Sequence, residues 1–344
     1  MARIFMRPIL GEQWVGRQAP DVLDQADGWL NSPPLSLAEL RGRVVLLDFF
    51  DYTCVNCLRT LPYLTRWWER YRDHGLTIIG LHAPEFDLGA DPENVRRGLE
   101  LYGISYPVAL DSHYRIWRAF RNNVWPRHFL VDVDGVVVED HAGEGGYRET
   151  EANIQLLLRD MDPAVADLPL LDPMRPEDGP GVQVLPQTPE LYLGYQRGTL
   201  PQGYRRRQVV DYRDPGEHRV PAVYLQGPWH AGPQSLQHAR ETDLPGQDYL
   251  QLEYLAQEVN LVLRGSPERP YRVYLSLDGQ RVPAGYQGAE VMEEGNATYL
   301  LVDQPRMYQL VDGDYGVHSL RLSSASDQLT AYAFTFGAWS IPGR

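Results

Sequence analysis

The sequence predicts an α/β domain followed by an all-β antiparallel sandwich, jelly-roll-like, and three observations lead there. A cysteine pair, Cys54-Val55-Asn56-Cys57, sits where the apolar run of residues 44–50 gives way to helical spacing. From Asp162 to Pro189 the chain is crowded with proline and acid, which reads as a stiff linker or an extended strap. Beyond Gly203 only short alternating segments occur, with no long helical stretch. The length of 344 residues agrees with two domains.

The first domain reads element by element. Residues 44–50 are apolar on both faces except at Asp48, as in a strand covered on both sides. Leu58, Leu61, Leu64, Trp67 or Trp68, and Tyr71 recur at helical spacing to Arg72, with Arg59, Arg66, Glu69 and Arg70 for the wet side. Pro62 is expected to kink that helix, because it removes a backbone donor. A second core strand follows at 76–82, bounded by Gly75 and Ala83-Pro84. Asp91-Pro92-Glu93 reads as an N-cap with proline at the first helical position, opening a helix to about Tyr102. A short strand at 106–110, a helix at 114–120, Trp125-Pro126 and a strand at 127–132 complete the set, with Asp134-Gly135 as a hairpin turn.

In the second domain the alternation is carried by Val259, Leu261 and Leu263, by Tyr271, Val273 and Leu275, and by Tyr332, Phe334 and Phe336. Asp278-Gly279 gives a hairpin turn after the second group.

Only two cysteines occur in the chain. A pair three apart at a strand-to-helix junction can pass electrons by cycling between dithiol and disulfide. Two other readings stand beside that one. Zinc takes four ligands, and without a second cysteine pair it would recruit from nine histidines, none at finger spacing. A structural disulfide closed over two residues restrains little of the unfolded chain.

Asp48 adds weight to redox chemistry. A carboxylate in an apolar strand is costly to bury, so Asp48 is expected to titrate high and to take the proton of Cys57 when that thiol attacks a mixed disulfide. On an edge strand it would be an ordinary solvated acid. Cys54, at the helix N-terminus, faces unpaired amides and the positive end of the dipole, which favour thiolate. It is the expected attacking sulfur.

Asp48 in its strand, the Cys-x-x-Cys at a helix start, Pro62 eight residues after Cys54, and Trp125-Pro126 before a strand together resemble the thioredoxin fold. In that family the proline before the later strand is cis and faces the cysteines, which the resemblance carries onto Pro126. The added segments between the cysteines and Pro126 resemble the TlpA and peroxiredoxin-like branch. Tyr52-Thr53-Cys54-Val55-Asn56-Cys57, His82-Ala83-Pro84-Glu85-Phe86, Gly103-Ile104-Ser105-Tyr106-Pro107, Trp125-Pro126 and Thr188-Pro189-Glu190-Leu191-Tyr192-Leu193-Gly194 resemble the soluble C-terminal region of DipZ-type proteins. There a TlpA-like thioredoxin domain is joined to a sandwich resembling a carbohydrate-binding module.

Length, the proline-rich stretch and the change of pattern beyond it give a redox domain at 1–162, a proline-rich linker at 163–186 and the sandwich at 187–344. The resemblance implies Cys54, Cys57, Asp48 and Pro126 as catalytic residues, Trp125 and Glu85 at the substrate, and no cofactor beyond a Cys54-Cys57 disulfide. DipZ-type proteins carry a CcdA-like membrane domain that delivers electrons, whereas residues 1–30 show neither a long apolar span nor a signal-peptide core. The chain as given is therefore expected to be cytoplasmic, or extracytoplasmic if trimmed, with no membrane span and an unknown electron donor.

The expected function is thiol-disulfide exchange with protein thiols and disulfides. A peroxiredoxin-like peroxidatic cysteine has a threonine three residues earlier, where this chain has Asp51. Val55-Asn56 lacks the histidine of strongly oxidising relatives, which favours a reductant. The alternative is a binding or adaptor protein that uses the sandwich, with an inactive thioredoxin scaffold. Trp229 or Tyr204, if exposed, would stack on the sugar rings of a glycan, although most sandwich aromatics fill the core, and a protein partner is the other expectation. Gly143-Glu144-Gly145-Gly146 is followed by Tyr147 and not by the lysine of a phosphate loop, and a net charge of −14 argues against nucleic acid.

Overall fold

A strand buried on both sides needs a helical layer on each face, and all seven positions of residues 44–50 and of residues 76–82 are buried. The computed structural model describes residues 14–342, so part of the N-terminal segment weighed above lies outside the described residues. The chain divides into two units between Asp178 and Gly179. The first runs β1 (Gly28–Leu30), β2 (Val44–Phe50), α1 (Val55–Tyr71), β3 (Leu76–His82), α2 (Pro92–Leu101), β4 (Val108–Leu110), α3 (Arg115–Ala119), β5 (Arg127–Val131), β6 (Val137–Ala142) and α4 (Tyr147–Leu158).

Its sheet has the order β1-β4-β3-β2-β5-β6, in which β4, β3 and β2 are parallel and the rest join antiparallel. Alternation along β2 puts Val45, Leu47 and Phe49 into an apolar core with Leu81, Phe129, Val131 and Trp117. Asp48 therefore points to the opposite face, beneath α1 and α4. Gly80 lies opposite Asp48 on β3, where a methyl group would meet the Phe50 ring at 2.7 Å, so only glycine lets this face close.

Local signals act as the residue types require. Asp91 accepts the Glu93 N–H at 2.9 Å and Pro92 opens α2. Gly135 takes a φ of +77° in the turn between β5 and β6. Helical backbone runs from Val55 to Tyr71 across Pro62. The Trp125–Pro126 peptide is cis.

The stretch expected to begin a linker at 163 is instead fastened to the first unit as far as Asp178. Leu168 C=O accepts from Gln155, Leu171 N–H donates to the buried Glu151 at 2.8 Å, and Met174 N–H donates to the Tyr63 hydroxyl at 2.8 Å. Tyr63 in turn donates to Asp178 at 2.8 Å. Proline content marks an extended backbone, but these anchors on α1 and α4 make it a strap.

The second unit is rich in strands. The long strand Tyr249–Leu263 pairs with Arg306–Ser323 along its length, with Ala222–Ala231 through its first half and with Thr330–Gly337 through its second. The pairing shifts register near Ala256–Val259, where bulges bend the strand between neighbours. Asp278 and Gly279 both take positive φ in a two-residue hairpin turn. Trp229, Tyr254, Tyr308, Leu252, Leu261 and Phe334 lie within its core.

A chain of residues 1–178 is expected to unfold in one cooperative step, since the sheet and its core lie within it. Ending at 162 strands Glu151 and Tyr63 without strap partners and should lower the melting midpoint by roughly 5–10 °C. Equal midpoints by circular dichroism would show the strap to be dispensable.

Candidate active site

The cysteine pair stands at the point where β2 hands over to α1. Cys54 is the N-cap of α1, with extended backbone (φ −83°, ψ 119°), and its Sγ accepts the Cys57 N–H at 3.5 Å. A sulfur thus takes the place usually held by a serine or aspartate oxygen. The turn is closed by Cys54 N–H to Asp51 C=O at 3.1 Å and by Leu58 N–H to Cys54 C=O at 2.9 Å. Cys54 is 8% exposed and Cys57 is wholly buried. Burial pushes the Cys57 thiol well above its ordinary value, helped by the hydrogen bond and charge of Cys54 and by the charge of Asp48, with the Asp51 backbone opposing.

Asp48 lies behind Cys57, buried, with neither carboxyl oxygen hydrogen-bonded. Burial raises it from 3.8 to about 7, while the charge of His128 pulls the other way. His128 is its in-register neighbour on β5. The His128 Nε2 approaches Glu139 Oε1 at 3.3 Å and Thr150 Oγ1 at 3.2 Å, and Glu139 also accepts from Asn153 at 2.6 Å. Burial would raise Glu139, yet the hydrogen bonds from His128, Asn153 and Thr150 hold it at about 2.

A second buried pair flanks the cysteines. Asp51 accepts the Thr53 N–H at 2.7 Å, the Thr53 hydroxyl at 2.9 Å and the Glu85 N–H, with His82 Nε2 at 3.8 Å. Burial alone would push Asp51 up, but His82 and these donors hold it below the usual carboxylate range. Glu85 is thereby tied to the cysteine turn through its backbone, and its side chain is half-buried. Trp125 is half-buried too, packing on Trp117 with ring centroids 4.4 Å apart and donating Nε1–H to Ala83 C=O at 2.9 Å. Pro126 is buried and its carbonyl accepts the Gly143 N–H at 2.8 Å.

The residues named from sequence thus fall on the β2–α1 corner, on segment 82–86 and on the entry to β5. Sequence reading missed Asp51, His82, His128 and Glu139, whose importance comes from strand register. Alternation had already placed His128 on one definite face of its strand, and that was the one available signal.

Ligand atoms of His128, Glu139 and His141 come within 4.8 Å of one another. The two imidazoles are stacked, 16° from parallel with centroids 4.8 Å apart, so their in-plane lone pairs do not converge as a metal site requires. The group is a hydrogen-bonded cluster. In the second unit Trp229 is buried, donating Nε1–H to Gln226 C=O at 2.9 Å, and Tyr204 is half-buried, its hydroxyl on Leu193 C=O at 3.0 Å. Trp229 therefore offers no ring face to a sugar, which corrects the expectation for that residue. Among the described residues no helix is long and apolar enough to cross a membrane.

Two family models match the chain, the AhpC/TSA family over residues 15–140 and a thioredoxin-like C-terminal domain over residues 188–337. The protein DipZ of Mycobacterium tuberculosis is 32% identical over 330 residues, which cover 93% of this chain and 43% of DipZ. The chain thus spans less than half the length of that relative. The thiol-disulfide oxidoreductase ResA of Bacillus anthracis is 30% identical over 142 residues, covering 41% of this chain and 77% of ResA. A solved thiol-disulfide isomerase from Corynebacterium glutamicum aligns over 41% of this chain and 96% of its own, at 25% identity and a TM-score of 0.37.

Asp48 makes stability depend on pH in a defined direction. Its folded value lies above its unfolded one, so the folded chain holds an extra proton between pH 3.8 and about 7, and stability falls as pH rises through that window. Asp48→Asn should remove this slope and stabilise the chain at pH 8 by up to roughly 4 kcal/mol relative to its effect below pH 4. Urea unfolding at the two pH values checks it, and parallel stability curves for both chains would refute the burial argument.

Proposed function

We propose that this chain, which belongs to the thiol-disulfide oxidoreductase family that includes ResA, reduces the disulfides of protein substrates through Cys54 and Cys57. The observation that carries the reading is a slightly exposed thiol at a helix start, paired with a wholly buried thiol beside a buried carboxyl. In the proposed cycle the Cys54 thiolate attacks a substrate disulfide, forming a mixed disulfide and releasing one substrate thiolate. Cys57 then gives its proton to Asp48 and attacks Cys54 Sγ, releasing the second substrate thiolate and leaving a Cys54–Cys57 disulfide. A dithiol donor returns the pair to its reduced form. Trp125, Glu85 and Pro126 form the rim against which the substrate backbone rests. The reducing direction is supported by the lack of a histidine between the cysteines.

For the second unit we propose an antiparallel sandwich, jelly-roll-like, that holds a protein partner. The bending of Tyr249–Leu263 between two sets of neighbours supports two layers, and the burial of Trp229 favours a protein over a glycan.

Cys57→Ser should accumulate a covalent adduct with a substrate thiol, seen by non-reducing electrophoresis and mass spectrometry, and Cys54→Ser should not. Equal trapping by both would reverse or cancel the assignment of roles. Asp48→Asn is expected to slow insulin reduction at pH 7 by roughly 100-fold, in line with loss of a general base. An unchanged rate would mean that water takes the Cys57 proton.

A further inference from the structure

Asp48, His128 and His141 occupy one line across three adjacent strands. Asp48 on β2 is paired in register with His128 on β5, and His128 with His141 on β6, the edge strand of this sheet. The line begins behind Cys57 and ends at Glu139 and His141, which are half-buried. Two of its polar groups, the Asp48 carboxyl and His128 Nδ1, are buried without hydrogen bonds although their residues are cross-strand neighbours. In-register β-carbons lie about 4.5–5.5 Å apart, within reach of two side chains of this length. The other imidazole nitrogen, Nε2, already faces Glu139 and Thr150.

We propose that His128 is a positioning and relay residue for the redox pair, receiving the proton that Asp48 takes from Cys57 and passing it through Glu139 to solvent at the sheet edge. The inference rests on the disulfide-exchange reading above and adds the route of its proton. During resolution Cys57 loses a proton to the Asp48 carboxylate and its electron pair forms the Cys54–Cys57 bond, while the mixed disulfide breaks and the substrate leaves as thiolate. When the dithiol donor reopens the Cys54–Cys57 disulfide, Cys57 leaves as thiolate and needs a proton again, so Asp48 must be able to exchange its proton in both directions between turnovers. A neutral His128 ring takes that proton on Nδ1 and gives up the one on Nε2 to Glu139, which releases it to solvent, leaving the ring as the other tautomer; the reverse passage, when Cys57 is next released as thiolate, restores the starting tautomer.

The surroundings leave His128 as the available group. The chain contains no lysine. Toward Asp48 face Cys57 from α1, Tyr106 from the segment before β4, and His128. The buried Tyr106 phenol is pushed well above its ordinary value by burial and by Asp48, so it gives no exit for a proton. Toward His128 face Glu139 and His141 from β6, with uncharged Thr150 from α4. Arg127 and Asp140 pair with each other at 2.8 Å, and alternation puts them on the other face. Glu151 of α4 is held by Tyr71 at 2.6 Å and by Arg70 at 3.4 Å, and the Tyr147 hydroxyl lies 3.3 Å from Thr60.

The test is the pH profile of insulin reduction by the full chain with dithiothreitol as donor. Wild-type turnover should fall on the acid side with a midpoint near 7. His128→Gln removes the imidazole whose protonated form holds Asp48 down, so the midpoint should rise by about one pH unit, a roughly tenfold loss on the acid limb. Glu139→Gln, at a half-buried position that spares the core, should move it the same way by less. A merely structural role would scale the whole profile; superimposable or uniformly scaled profiles for both variants would overturn the proposal. The infrared carboxyl band of Asp48, assigned by difference with Asp48→Asn, gives a readout that needs no turnover. An unshifted titration midpoint in His128→Gln overturns the proposal even in an active enzyme. A shifted midpoint in a chain that reduces nothing upholds the link between His128 and Asp48 and overturns the reductase reading instead.

Discussion

The redox corner depends on keeping one carboxyl dry. Asp48 occupies the middle of a strand with a parallel neighbour on one side and an antiparallel one on the other, so no lateral movement can bring it to water. Gly80 lets the Phe50 and Tyr106 rings close over the same face. The same exclusion of water acts on Cys57, whose thiol is raised by burial and further by the hydrogen bond and charge of Cys54 and the charge of Asp48. Asp48 therefore changes charge near neutral pH while the Cys57 thiol keeps its proton, and the burial that makes the strand expensive is what prepares the acid for its task.

Asp48 and Asp51 lie three residues apart and are both buried, yet they are driven in opposite directions. Hydrogen bonding makes the difference. Asp51 accepts from Thr53 twice and from Glu85, and these donors with His82 more than offset its desolvation. It stays charged and serves as a fastener between the cysteine turn and segment 82–86. Asp48, lacking such donors, is left able to change its charge.

Much of this was readable from residue types, because the signals are local. The apolar runs, the Asp91 cap, the Asp134-Gly135 and Asp278-Gly279 turns and the cysteine pair each depend on neighbours within a few positions. What was not readable depended on which residue stands opposite which. His128 is an unremarked residue in its own strand and gains meaning only beside Asp48. Whether Trp229 faced a ligand or the core stayed open until the pairing of Ala222–Ala231 turned it inward. How far the strap is fastened was not legible because its anchors, Tyr63 and Glu151, are about 20 to 110 residues away in sequence from the backbone groups they hold.

The strap has a mechanical consequence. Its last fastening joins Asp178 to Tyr63, on the helix that begins at Cys54, and the second unit starts at the next residue. Six residues of helix, about 9 Å of rise, separate Tyr63 from Cys57. The strap therefore ends on the helix that carries the thiols. Loosening the strap would be felt first at that helix, because the last latch bears on α1 and not on the sheet.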